Sequence, residues 1–304
     1  MNKIIITGIS GFIGANLNDF FHNNDETTLG VSRNPGNNQV DYLNLNLSSF
    51  NESKAIIHLA GKAHDLKKTT EDKEYFDVNC GLTIKLFDQF LESTCETFIY
   101  MSSAKAAADA VKGVLTENKT PNPITVYGKS KLAAEEYILS KNIPESKKVY
   151  ILRPCMVHGP GNKGNLNLLY NVVSKGIPYP LGSFKNKRSF LSIQNLCFII
   201  GQLLIIKPVS GLYNVADDQS ISTNQLIKLI GIGCGKKSKI LNLPRFLIIV
   251  LGKFGSLLHL PMNSERLQKL TESYLVSNTK IKEVINKPLP LTCEQGLLKT
   301  FKSF

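Results

Sequence analysis

The sequence predicts an α/β fold: a doubly wound parallel sheet joined to a smaller, interleaved C-terminal substrate-binding domain. Three observations predict it. Short β-branched runs alternate with helical periodicity through the first half of the chain. A glycine triplet, Gly8, Gly11 and Gly14, follows the first such run. After Pro154 the pattern breaks into segments rich in Gly, Pro and Asn, at 159–165 and 176–186, set between helices. Strands that alternate with helices need crossover connections, so their sheet is parallel and covered on both faces.

The elements follow in order. Residues 3–7 read as a buried strand and 12–21 as a helix that opens in the glycine loop. Residues 27–31, 40–45 and 54–59 are the next three strands. Residues 73–92 are long and periodic, hence one helix, and 97–102 form the fifth strand. Pro123 precedes a helix from about 125 to 140, and 149–153 is the sixth strand. Beyond Pro154, helices are expected at 166–175 and 193–206, a strand at 211–215, and helices near 223–232, 245–258 and 264–272. The dinucleotide-binding domain is placed at 1–164 with a return of roughly 188–215, and the capping domain at 165–304. Ligands in such sheets bind at the C-terminal edge of the strands.

In residues 7–14, Thr-Gly-Ile-Ser-Gly-Phe-Ile-Gly, Gly8 permits a tight turn, Gly11 lets a pyrophosphate approach the backbone, and Gly14 lets the helix pack on the strand. Phosphates then sit at a helix N-terminus, where N–H groups and the helix dipole favour anions. The predicted sheet is therefore Rossmann-type. At the end of the second strand stands Gly30-Val31-Ser32-Arg33-Asn34, without the acid that binds a ribose 2′-hydroxyl in NAD sites. Ser32 and Arg33 suit a 2′-phosphate instead, so NADP(H) is expected and NAD(H) is the alternative.

Tyr127 and Lys131 stand four apart on a predicted helix and project from one face. The ammonium is expected to lower the phenol's pKa from its usual value of about 10. Tyr127 can then exchange the proton of a substrate hydroxyl while hydride moves to or from a nicotinamide. Lys131 is placed to bond the nicotinamide ribose. Ser103, ending the fifth strand, is placed to bond the same substrate oxygen.

Composition narrows the classes. There are 36 basic and 24 acidic residues, a net charge of +12. Residues 217–304 hold 13 basic and 6 acidic residues, or +7 of that excess. Such a surface suits an anionic substrate or an anionic membrane. Nucleic acid is not expected, because no module of interleaved aromatic and basic residues is present. The six scattered cysteines include no Cys-x-x-Cys, so neither disulfides nor a metal site is expected, and a reducing cytoplasm fits. No signal peptide is read at the N-terminus. The longest apolar stretches, 246–251 and 197–206, fall short of the roughly 18 residues that span a bilayer. Residues 243–260 are apolar with interspersed basic residues; a buried helix of the cap is expected, membrane-surface contact being the alternative. Residues 231–238 look like a phosphate loop, but a lysine stands where Ser or Thr must ligate magnesium, so a helix end and turn are expected.

These motifs together resemble the extended short-chain dehydrogenase/reductase family, the nucleotide-sugar epimerases, dehydratases and reductases, over essentially the whole chain. Residues 7–14 resemble its TGxxGFIG loop, and His58-Leu59-Ala60-Gly61 its segment beside the cofactor. Asn79 resembles the asparagine on its long central helix, Met101-Ser102-Ser103 its catalytic serine, and Tyr127-Gly-Lys-Ser-Lys131 its YGKSK motif. Leu152-Arg153-Pro154 followed by Val157-His158-Gly159 is similar to its LRPxxVYG segment. The resemblance implies catalysis by Ser103, Tyr127 and Lys131. It implies cofactor contacts from Gly8, Gly11, Phe12, Ile13, Gly14, Ser32, Arg33, Asn46, Leu47, Leu59, Ala60, Gly61, Asn79, Tyr127, Lys131 and Pro154. It implies substrate contacts from Ser103, Lys105, Asn165 and Arg188, with Lys163-Gly164-Asn165 and Arg188 meeting a diphosphate.

Some residues depart from the family pattern. Asn46-Leu47 stands where the family often has an acid, and the amide is expected to accept from the adenine amine. His158 replaces the usual tyrosine. A second substrate arginine has no clear match, Arg266 being the nearest. The segments ending at His64, Lys105, Asn165 and Phe190 look most like a subgroup acting on UDP-N-acetylhexosamine derivatives in bacterial surface-polysaccharide pathways. This implies a UDP-sugar substrate and, as a family expectation, a homodimer. The leading reading is NADP(H)-dependent reduction at C4 of a UDP-4-keto-6-deoxy-N-acetylhexosamine. The alternative is a UDP-sugar 4-epimerase with tightly held NAD. A dehydratase fits less well, since Ser103-Ala104-Lys105 lacks its Asp-Glu pair. A non-catalytic cofactor sensor also fits less well, since Tyr127 and Lys131 are both present.

Overall fold

Seven strands form one parallel sheet: β1 (Lys3–Thr7), β2 (Thr28–Val31), β3 (Gln39–Val40), β4 (Ser53–His58), β5 (Thr97–Met101), β6 (Lys148–Pro154) and β7 (Gly211–Val215). Their order is β7-β6-β5-β4-β1-β2-β3, every neighbouring pair parallel. The order reverses at β1, whose neighbours are β2 and β4. Ligands of open α/β sheets bind at that reversal, beyond the strands' C-terminal ends. The computed structural model describes residues 3–37, 39–63, 71–162, 164–257 and 264–304, without the side chains of 165, 251, 252, 254–257, 264–266 and 269.

The described helices are α1 (Phe12–His22), α2 (Leu47–Asn51), α3 (Asp72–Phe76), α4 (Leu82–Glu92), α5 (Ala104–Ala107), α6 (Val126–Leu139), α7 (Asn165–Ser174), α8 (Ile193–Ile206), α9 (Thr223–Gly233), α10 (Arg245–Leu257), α11 (Ser264–Thr271), α12 (Thr279–Ile285) and α13 (Cys293–Lys302). Helices α1 and α8 cover one sheet face, where Leu17, Phe21, Leu196 and Ile200 meet Ile4, Ile6 and Ile57. Helices α2, α4 and α6 cover the other, where Phe50, Phe87, Phe90 and Ala134 meet Ile5, Ile56 and Phe98. Being buried on both faces is why the central strands are continuous apolar runs rather than alternating ones.

The C-terminal lobe has its own core of Tyr179, Phe190, Leu226, Ile227, Ile230, Leu297 and Phe301. Short strand pairs tie the two parts together: Met156–His158 with Phe190–Ser192, Lys187–Arg188 with Ile221–Ser222, and Val114–Leu115 with Leu275–Val276. Residues 231–238 end α9 and turn away, as expected. Gly235 takes a φ of 66°, and Lys236 N–H donates to the Gly231 carbonyl at 2.8 Å.

Three differences have physical causes. The strand expected at 40–45 stops at Val40, because the Asp41 carboxylate accepts from Leu43 N–H at 2.9 Å and Asn44 N–H at 2.8 Å and folds the chain into a turn. The helix expected at 73–92 contains a wider, π-type turn at Asp77–Gly81. Helix α10, expected to be buried, keeps much of its apolar surface exposed.

Candidate active site

The site is assembled at the C-terminal ends of β1, β2, β4, β5 and β6, at the sheet's reversal. Its floor is the glycine turn. Gly8 takes a φ of 70°, a left-handed conformation that favours glycine, and an added Cβ would sit 2.9 Å from the Ala60 nitrogen. A Cβ on Gly14 would sit 2.3 Å from the Gly8 carbonyl oxygen, so α1 can only pack this close to β1 through glycine. Gly11 precedes α1 and offers no side-chain cap, which leaves the first-turn N–H groups for a ligand. Phe12 and Ile13 open that helix, and no acid stands in its first turn. A dinucleotide pyrophosphate fits this cradle.

The loop after β4 is held over the cradle by a directed chain of hydrogen bonds. Thr83 Oγ1 donates to the Asn79 carbonyl at 2.7 Å, so it accepts from His58 Nε2–H at 2.9 Å. His58 Nδ1 is then bare and accepts from Thr7 Oγ1 at 2.7 Å, whose oxygen accepts from Ala60 N–H at 3.3 Å. Burial, helped by the Lys131 charge, lowers the His58 pKa to about 3, so the ring is neutral as this chain requires. Asn79 pins the same loop. Its Oδ1 accepts from Lys62 N–H at 2.7 Å, and its Nδ2 donates to the Lys62 carbonyl at 3.0 Å and Ser130 Oγ at 2.9 Å. The π-type turn is what aims it there. Asn79 is fully buried with its amide hydrogen-bonded, and through Lys62 it holds the loop of Leu59, Ala60 and Gly61 in place.

At the tip of β2, Ser32 is buried and donates from Oγ to Gln39 Oε1 at 3.2 Å, while Arg33 is exposed. Tyr42 closes this corner, its hydroxyl accepting from Gly8 N–H at 3.2 Å. Asn46 and Leu47 lie at the start of α2. The Asn46 Oδ1 caps that helix, accepting from Ser49 N–H at 3.1 Å, which occupies the oxygen expected to meet an adenine amine. Pro154 ends β6 at the same edge.

Tyr127 and Lys131 lie in the first two turns of α6. The entry to that helix is fixed by Asp109, whose Oδ2 accepts from Ile124 N–H at 2.6 Å and Thr125 N–H at 2.9 Å. Thr125 then caps the helix through Gly128 N–H at 3.2 Å. A Cβ on Gly128 would sit 2.5 Å from the Lys105 carbonyl oxygen. Glycine there lets α6 approach α5, and this brings Ser103 close enough to Tyr127 to influence its titration. Burial raises the Tyr127 pKa above its usual value, and Ser103 only partly offsets it. The direction is opposite to the lowering expected from Lys131, because desolvation of the phenolate is the largest influence on the group.

The Lys131 ammonium is nearly fully buried. It donates to the Met101 carbonyl at 2.9 Å and lies 4.9 Å from the Tyr100 ring centroid. Burial pulls its pKa down to about 8, while the Glu135 carboxylate works the other way. Gly61 sits against it: a Cβ there would be 3.0 Å from Nζ. Beneath the site, Glu135 and Arg153 form a buried ion pair. Arg153 Nε donates to both Glu135 oxygens at 2.9 and 3.1 Å, Arg153 Nη2 donates to Oε2, and Ser102 Oγ donates to Oε1.

On the C-terminal lobe, Arg188 is half-buried at a backbone bridge with Tyr274. Burial lowers its pKa, with Glu272 and Tyr179 opposing. Lys105 donates from Nζ to the Asp109 carbonyl at 2.7 Å and lies 4.8 Å from the Tyr274 ring centroid. Tyr274 thus links Lys105, two residues after Ser103, to the strand that carries Arg188. Asn165 begins α7, but its side chain, like that of Arg266, lies outside the described residues, as do Lys163 and His64. His158 is buried away from solvent, its Nδ1 2.9 Å from Thr300 Oγ1 and its Nε2 3.9 Å from Asp217. Sequence reasoning missed Tyr42, Gln39, Tyr274, Glu272 and the Glu135–Arg153 pair. Only Glu135, four residues after Lys131, left a helical-spacing signal.

Residues 4–216 match the model of the NAD dependent epimerase/dehydratase family. The chain belongs to that family. This family member is 29% identical to UDP-glucose 4-epimerase of Vibrio cholerae, over 99% of this chain and 95% of that one. It is 25% identical to GDP-6-deoxy-D-mannose reductase of Pseudomonas aeruginosa, over 75% of this chain and 79% of that one. The solved structure of RMD from Pseudomonas aeruginosa complexed with NADPH shares the fold, with a TM-score of 0.73 at 21% identity, covering 100% of this chain and 98% of that one. This epimerase/dehydratase-family protein is thus an enzyme of the nucleotide-sugar epimerases and reductases. No helix of the described residues is long and apolar enough to cross a membrane.

Proposed function

We propose that the enzyme is an NADP(H)-dependent reductase acting at C4 of a UDP-4-keto-6-deoxy-N-acetylhexosamine, in the cytoplasmic supply of sugars for a bacterial surface polysaccharide. The observation that carries this reading is the tip of β2. Arg33 is exposed there, and the nearby Asp41 carboxylate is tied up in its own turn. A guanidinium beside a buried serine attracts a 2′-phosphate that a carboxylate would repel.

A bound dinucleotide would supply hydride exchange at C4. Tyr127, kept protonated by its burial, donates its proton to the C4 oxygen, as the reductive direction requires. Ser103, beside Tyr127, orients that oxygen. The Lys131 ammonium, fixed on the Met101 carbonyl, stabilises the phenolate left behind. Arg188 offers a bidentate fork to the substrate diphosphate.

The second reading, a 4-epimerase with tightly held NAD, is favoured by the near full-length similarity to the Vibrio cholerae UDP-glucose 4-epimerase. Incubation with NADPH and the 4-keto sugar nucleotide separates the two. The reductase reading expects stoichiometric loss of the reduced-nicotinamide absorbance. Interconversion of UDP-N-acetylhexosamines without added cofactor, and no NADPH consumption, would overturn it.

A further inference from the structure

Helix α10 presents an apolar face that is exposed among the described residues. Ile248 turns inward and is buried in the C-terminal lobe's core. Helical spacing puts Phe246, Ile249, Val250 and Lys253 on the opposite side. Phe246 is 65% exposed, Ile249 45% and Val250 43%. Leu241 and Leu243, just before the helix, are exposed as well and extend the patch. Arg245 fastens the start of the helix to the lobe, donating from Nε to the Ser183 carbonyl at 3.0 Å. Several exposed apolar side chains on one helix face are a candidate interaction site.

The segment that carries it is one-sided in charge. Between Asp218 and Glu265 the sequence holds no acidic residue and six basic ones, Lys228, Lys236, Lys237, Lys239, Arg245 and Lys253. Lys237, Lys239 and Lys253 are exposed. A second copy of the chain seated on this face would bring the same positive field against itself, which disfavours self-association. A surface with apolar depth and a layer of phosphate at its rim satisfies both features. At 13 residues the helix is too short to span a bilayer but long enough to lie in its interface.

We propose that α10 docks the enzyme on the surface of an anionic phospholipid bilayer. The Phe246–Ile249–Val250 face enters the acyl boundary, and the exposed Lys237, Lys239 and Lys253 meet the lipid phosphates. The docking face belongs to the lobe that carries Arg188, so it would hold the substrate-binding side of the enzyme near the membrane. This inference is independent of whether the reaction is a reduction or an epimerisation.

Co-sedimentation of the full chain with vesicles tests it, using phosphatidylcholine alone and phosphatidylcholine mixed with phosphatidylglycerol. The protein is expected to pellet with the mixed vesicles, to be released by salt, and to stay in solution with phosphatidylcholine alone. Phe246→Glu/Ile249→Glu/Val250→Glu is expected to abolish pelleting with no loss of the thermal transition, since all three side chains point outward. Lys237→Gln/Lys239→Gln, which leaves the apolar face intact, is expected to weaken partitioning about fivefold per charge. No pelleting with the mixed vesicles, or equal pelleting by the Glu variant, would overturn the proposal. So would a wild-type dimer in sedimentation equilibrium that the Glu variant dissolves, because the face would then be covered by a second copy.

Discussion

Replacing Glu135 by Gln removes a buried carboxylate beneath Lys131. Glu135 is fully buried and accepts from Arg153 and Ser102. An amide keeps one acceptor oxygen and turns an N–H₂ toward the guanidinium, leaving Arg153 charged, 2% exposed and unmatched. Breaking a buried pair on one side costs about 3–5 kcal/mol, a large part of a typical margin of about 5–15 kcal/mol. Urea unfolding followed by circular dichroism measures that loss. The substitution also strips Lys131 of the charge that opposes its desolvation, so its pKa falls further below about 8. Activity that needs the ammonium is lost as pH rises through that pKa. The alkaline limb of the pH–rate profile should therefore move to lower pH, by about one unit or more. Glu135→Leu/Arg153→Met separates the two effects. It removes both buried charges and should recover most of the stability, yet leave the alkaline limb shifted. A Gln variant destabilised by less than about 1 kcal/mol, with an unmoved alkaline limb, would refute the reasoning.

Other consequences are equally direct. Tyr127→Phe should lower kcat by a factor of about 100 to 10,000 while leaving dinucleotide binding intact, as read by steady-state kinetics and calorimetric titration. Gly14→Ala should abolish dinucleotide binding, because its Cβ would lie 2.3 Å from a backbone oxygen that cannot move without displacing α1. His58, with its pKa depressed to about 3, contributes stability in full above its unfolded value near 6.5, and that stability is lost as pH falls toward the folded value. The wild-type unfolding free energy should therefore fall by about 1.4 kcal/mol more per pH unit between pH 6 and 4 than that of His58→Gln.

The central sheet and the cradle were legible because their signals are local. Ile4, Ile5 and Ile6 declare a strand buried on both faces, and the spacing of Gly8, Gly11 and Gly14 declares the turn that follows. The spacing of Tyr127 and Lys131 on one helix face gained meaning from the glycine loop upstream and from Ser102 and Ser103 at a strand end. What the sequence hid depends on through-space partners. The pKa of Tyr127 is set by burial that no local pattern reports. Asn79 turns toward Lys62 through a π-type turn that leaves no compositional mark. The third strand ends early because Asp41 folds back on its neighbours' N–H groups, a side-chain event inside an apparently apolar run. Helix α13 carries a local signal: Thr292 and Gln295 form a capping box, and Leu297 and Phe301 are fully buried. Burying those two side chains contributes roughly 3–6 kcal/mol. Helix α10 reads as core by composition, and only the packing shows that Phe246, Ile249 and Val250 are exposed.

The central claim is that this site is built for a phosphorylated dinucleotide. Calorimetric titration of the wild-type enzyme and of Arg33→Ala with NADPH and with NADH tests it most directly. The account predicts that the wild type binds NADPH at least about tenfold more tightly than NADH, and that Arg33→Ala removes most of that preference without weakening NADH. Tighter binding of NADH by the wild type, or an unchanged preference in Arg33→Ala, would contradict it.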